Sequence, residues 1–131
     1  MATNQAHRDW IKANGIDRIL GQSGSHQSVQ LSEALAQQCK AFIQHRMTPE
    51  SIRYADLADQ LGRASLSTAS NAGEAWGRKG PDCRRMLYIA HGSCIEAVIQ
   101  LRIAGASDDL IELGFETARA LELDITKLSQ D

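Results

Sequence analysis

The chain has 131 residues, 43% of them apolar and 23% charged, with a net charge of −2 at pH 7. That length fits one domain able to bury a core, and the near-neutral balance lacks the strong basicity of a domain built as a whole for nucleic acid. The three cysteines, Cys39, Cys83 and Cys94, have no paired spacing and form no disulfide framework; with no signal-like or membrane-length apolar run, a reduced cytoplasmic protein without a membrane partner is expected.

Residues 1–28 read as an N-terminal arm and linker. Trp10-Ile11 and Ile16, Ile19 and Leu20 suit short helical turns, and the Gly21-Gln22-Ser23-Gly24-Ser25-His26-Gln27-Ser28 stretch has linker composition. The arm is expected to be mobile or to dock on a neighbouring subunit through Trp10. Residues 29–131 carry helical periodicity throughout and no alternating, turn-bounded strand pattern.

The first long helix is expected from Val29 to Arg46, with Leu31, Ala34, Leu35, Cys39, Phe42 and Ile43 at three- and four-residue spacings. Thr48-Pro49-Glu50 then supplies a cap, a first-turn proline and a carboxylate for the next helix, which runs to about Trp76. Its stripe is Tyr54, Leu57, Ala58, Leu61, Ser65, Ala72 and Trp76. Gly62 and Gly73 each cost this helix about 1 kcal/mol against alanine, and close approach of a neighbouring helix is the expected compensation. Pro81-Asp82 restarts the chain as a third helix to about Ala104, and Ser107-Asp108-Asp109 opens a fourth with a cap and two carboxylates in its first turn. Leu110, Ile111, Gly114, Ala118, Leu121, Ile125 and Leu128 give the core face of the fourth, leaving Glu112, Glu116, Glu122 and Asp124 outside. The fold class is all-α: an antiparallel up-down-up-down four-helix bundle with a short N-terminal arm.

Two stretches carry almost no charge. Ala64 to Gly77 has only Glu74, and Met86 to Leu101 has only Glu96. A surface helix shows a polar face along its length, and the third helix instead carries two apolar stripes. Leu87, Ala90, Cys94, Ala97, Val98 and Leu101 suffice for a bundle core; Tyr88, Gly92, Ile95, Ile99 and Ile103 need a separate partner. Tyr88, Ile95, Ile99 and Ile103 are therefore the expected contacts with another copy of the chain.

Three segments carry a family likeness: Asp59-Gln60-Leu61-Gly62-Arg63-Ala64-Ser65-Leu66-Ser67, Asn71-Ala72-Gly73-Glu74-Ala75-Trp76-Gly77-Arg78, and Leu87-Tyr88-Ile89-Ala90-His91-Gly92-Ser93-Cys94-Ile95-Glu96. In order and spacing, residues 30–128 resemble the small bacterial four-helix-bundle proteins, some of them encoded by intervening sequences in 23S ribosomal RNA genes. The accessory variability proteins of diversity-generating retroelements are relatives. The resemblance implies a homopentamer around a central channel. The chain departs from the pattern at Gly62, where the family has arginine, and at Ala69, where it has proline. The retroelement relatives are basic and bind nucleic acid and a reverse transcriptase; this acidic chain differs from them in charge.

Arg63, Ser67, Asn71, Glu74 and Arg78 recur at three- and four-residue steps on one face of the second helix, with Ser93 and Glu96 opposite on the third. They are expected to form a buried polar network that fixes register and assembly, with a ligand- or phosphate-contacting channel as the other reading. The turn residues Arg78, Lys79, Arg84 and Arg85 are candidates for RNA or DNA phosphates, against a solvated turn or a partner for the acidic face of another subunit. His91 and Cys94 lie one helical turn apart, but two ligands do not make a zinc site; a packed thiol is expected and no metal or other cofactor. Gly77-Arg78-Lys79-Gly80 lacks the length and the Lys-Ser/Thr of a phosphate loop, and Gly21 to Ser25 is no nucleophile elbow. The function expected is a non-enzymatic oligomeric scaffold or adaptor; the alternatives are an RNA- or DNA-binding accessory factor and a small-molecule binder in a central channel.

Overall fold

A computed structural model describes residues 26–47, 52–78 and 80–130, with residues 5, 6 and 9 of the preceding segment. The expectations for the arm, for Trp10, for the Thr48-Pro49-Glu50 start signal and for Lys79 lie outside these residues. Four helices follow in order: α1 (Gln27–Arg46), α2 (Ile52–Ala75), α3 (Pro81–Ile103) and α4 (Asp108–Gln130). Each packs on its neighbours in sequence, and α1 closes on α4, so the helices stand at the four corners of an antiparallel bundle. The α2–α3 pair shares the most extensive contact. No helix among the described residues is long and apolar enough to cross a membrane.

The local signals explain the ends. Ser107 Oγ accepts the Leu110 amide at 3.3 Å, a side-chain cap at the third helical residue of α4. Pro81 sits at the start of α3 behind Gly80, whose φ of 63° suits glycine. Gly105, at φ 75°, ends α3 and lets the Ala106 amide reach back to the Leu101 carbonyl at 2.9 Å. The first helix opens two residues earlier than expected, and Ser28 is buried in its first turn and does not belong to a linker.

The core runs along the bundle axis. Leu35, Leu61, Leu87, Leu101 and Leu121 are fully buried, each stabilising the fold by about 1.5–3 kcal/mol. Every member of the first α3 stripe is buried. Most buried hydroxyls bond their own helix backbone: Ser32 Oγ donates to the Ser28 carbonyl at 2.6 Å and Thr68 Oγ1 to the Ala64 carbonyl at 2.8 Å, whereas Ser28 Oγ is buried without a partner. Thr117 Oγ1 donates to the Leu113 carbonyl at 2.8 Å and lies 3.4 Å from the Leu31 carbonyl across the α1–α4 seam.

Glycine packing differs from expectation. A Cβ on Gly73 meets nothing within 4 Å, and one on Gly62 meets only Ile43 Cδ1 at 3.7 Å, so no helix approaches α2 closely at either position. The close approach is at Gly114, where a Cβ lies 2.6 Å from Val98 Cγ2. The small residues of α2 on its α1 side therefore line a groove. Asp124, expected outside, is half-buried, with Oδ2 cut off from solvent and unpartnered.

Burial raises the Cys39 thiol to about 11, against a smaller opposing effect of its bond with Ser65, and raises Cys94 to about 12, with Cys39 and Glu122 adding to the rise. An unfolded thiol loses its proton near its ordinary value of 9.0, so between that pH and the folded values the unfolded state binds fewer protons and stability falls as pH rises. The expected loss at pH 10 is on the order of 1 kcal/mol for each thiol. Urea midpoints between pH 8 and 10.5 check this: the fall is shallower in a Cys94→Ala variant, and equal slopes contradict it.

Candidate assembly surface and polar cleft

The second stripe of α3 lies on the outside of the bundle. Tyr88, Ile95, Ile99 and Ile103 are 55%, 38%, 52% and 66% exposed, and a methyl added to Gly92 between them meets nothing within 4 Å. The order 88, 92, 95, 99 alternates steps of four and three, the spacing of a coiled-coil seam. Four large apolar side chains along one helix face form a continuous surface of the kind that marks a contact site.

The polar residues expected to be buried are not buried within the chain. Arg63 is 80% exposed and pairs with Asp59 at 3.1 Å one turn back. Glu74 is half-exposed and holds Arg78 at 2.6 Å, a bond that raises the guanidinium's pKa further. Glu96 is exposed, its Oε1 3.2 Å from Gln100 Nε2. The hydroxyls do join the helices: Ser67 Oγ and Ser93 Oγ are 2.8 Å apart, and Asn71 Nδ2 donates to the Ser67 carbonyl at 2.8 Å and to Ser67 Oγ at 3.0 Å. Asp59, Gln60, Arg63, Ser67, Ser93 and Glu96 line an open cleft of about 370 Å³ between α2 and α3. The reason is spacing: acid and base four residues apart on one helix satisfy each other locally, in water, without burial.

The same rule reduces the charge of the basic turn. Arg78 is shared between Glu74 and Asp82, the latter at 3.9 Å, and Arg85 lies 3.6 Å from Asp82. Arg84 has no ion pair among the described residues, and with Arg78, Trp76 and Cys83 it lines a cavity of about 590 Å³ at this end of the bundle. The Trp76 ring stacks on His26 at 3.6 Å and 4°, while its Nε1 is buried without a partner. Cys83 is raised by burial and by the Asp124 carboxylate. His91 and Cys94 point to different partners: Nε2 of His91 is 2.9 Å from Glu122, and Cys94 Sγ donates to the Gly114 carbonyl at 3.4 Å inside the core. No group of three or more metal-binding side chains occurs among the described residues.

Leu66 is a surface residue that helical periodicity alone did not single out. It is 63% exposed, and with Ile43 and Gly62 it lines the apolar groove between α1 and α2. A signal for it exists in the sequence: Leu66 falls off the α2 core stripe, as Tyr88 falls off that of α3.

A family model described as 23S rRNA-intervening sequence protein matches residues 25–130. No curated protein matches the chain, and no solved structure does.

Proposed function

The chain belongs to the 23S rRNA-intervening sequence protein family, and on that footing we propose that it is a non-enzymatic, self-assembling scaffold or adaptor whose subunits meet through the outer face of α3. The observation that carries this reading is the exposed run Tyr88, Ile95, Ile99 and Ile103 on a helix that has already filled its core positions. Full burial of a side chain of this size is worth about 1.5–3 kcal/mol, and one contact recovers the part of that which the exposed fraction of each of the four still forgoes. Gly92 supports the same reading, since a mid-helix glycine with no intrachain neighbour suits a helix arriving from another copy. The homopentamer is the assembly proposed. Light scattering of purified protein tests it, with an expected mass five times the 14.3 kDa of one chain; a single-chain mass at every concentration overturns the reading.

An RNA- or DNA-binding role through Arg78, Arg84 and Arg85, with Lys79, draws on the unpaired Arg84 and on repetition of the turn around a ring. Against it stand Glu74 and Asp82, which neutralise the neighbouring arginines. A mobility shift of RNA at low salt that disappears on Arg84→Ala/Arg85→Ala favours this second role; the absence of any shift leaves the scaffold role alone.

A further inference from the structure

We propose, resting on the self-assembly just described, that the contact between copies is head-to-tail: the α3 ridge of one copy seats in the α1–α2 groove of the next. The groove has a volume of about 400 Å³ and is lined mainly by Ala36, Lys40, Ile43, Gly62, Ser65 and Leu66. Its floor is small side chains and its wall is the 63%-exposed Leu66, so it is concave and apolar. The ridge is its converse, a row of protruding isoleucines with 52% and 66% exposure at Ile99 and Ile103.

The two surfaces lie on different sides of the bundle, because the ridge is on the outer face of α3 and the groove is between α2 and α1, the helix diagonal to α3. Pairing ridge with ridge makes a self-matching contact that stops at two copies and leaves the groove in water. Ridge in groove covers both apolar surfaces with one interface, repeated by each added copy until a ring closes.

Charge selects the same pairing. Lys40 in the groove wall has no ion pair among the described residues. Glu96 beside the ridge bonds only the neutral Gln100, and Arg63 across its cleft is held by Asp59 at 3.1 Å. Lys40 and Glu96 are thus unpaired charges of opposite sign on the two surfaces, while the ridge also carries Arg102 beside Ile99 and Ile103, without an ion pair among the described residues; the Lys40–Glu96 pairing sets the register.

The test uses Leu66→Glu and Ile99→Glu full-length chains, both exposed sites, with circular dichroism to check folding and light scattering to read mass. Each variant alone is expected at 14.3 kDa. An equimolar mixture is expected to form a two-chain species, because the first keeps its ridge and the second its groove. A Leu66→Glu chain that assembles as the parent does, or a mixture that stays single-chain, overturns the head-to-tail contact. The self-assembly reading itself fails only if the parent chain is a single subunit. As an independent readout, Lys40→Glu raises the concentration needed for half-assembly several-fold and Glu96→Lys in the same chain restores it; no effect of either charge change overturns the proposed register.

Discussion

An Ile95→Glu/Ile99→Glu double substitution is expected to reduce the particle to one chain while leaving the bundle folded. Both side chains are already 38% and 52% exposed in the single subunit, so the double change removes only partial burial there and costs the fold on the order of 1 kcal/mol. Between subunits the same change buries two carboxylates beside apolar neighbours, at a cost of several kcal/mol for each unpaired charge. Two readouts keep these effects apart. Light scattering reads the mass, and thermal unfolding of dilute samples reads the fold. A variant that retains the parent mass excludes the α3 face as the contact.

The second large effect concerns two glycines that respond oppositely to one substitution. Gly114→Ala is expected to destabilise the chain. The new methyl arrives 2.6 Å from Val98 Cγ2, and a β-branched side chain in a helix has no free rotamer to yield into. Overpacking costs about 1–3 kcal/mol, more than the helix propensity gained. Gly73→Ala meets nothing and is expected to gain up to about 1 kcal/mol in the single chain. Urea midpoints of dilute samples distinguish the two. Val98→Ala in the Gly114→Ala background is expected to recover part of the loss, with a coupling of about 0.5–3 kcal/mol; strict additivity contradicts the steric cause.

These glycines also mark where sequence stops short of structure. Helical periodicity locates a stripe, and on α3 it separates Leu87, Ala90 and Cys94 from Tyr88, Ile95 and Ile99, because burial follows the 3.6-residue repeat directly. The Ser107 cap is legible for a similar reason: its partner is three residues away. Whether a small residue faces a helix or a void depends on the neighbouring axis, which no local pattern states: Gly73, expected at a close approach, meets nothing, while the tight contact falls at Gly114, which the periodicity already places on the core face of α4. Face alone places Arg63 and Glu74 in a buried network, yet Asp59 and Arg78 at four-residue spacing offer them solvent-exposed partners. Counting Glu74 and Asp82 beside Arg78 and Arg85 exposes the weakened charge of the turn from sequence as well. The His26–Trp76 stack joins residues 50 positions apart, and no periodicity announces it.

Closure of α1 on α4 orders the building of the bundle. The α2–α3 and α3–α4 hairpins each bring together segments adjacent in the chain, so their loop entropy is small and they can form early. The α1–α4 seam, with Thr117 beside the Leu31 carbonyl 86 residues away, requires nearly the whole chain and comes last. Until it docks, the flank of α4 that α1 covers stands open to water, and a nascent chain at high concentration is exposed there to exchange of its first helix with a sister molecule.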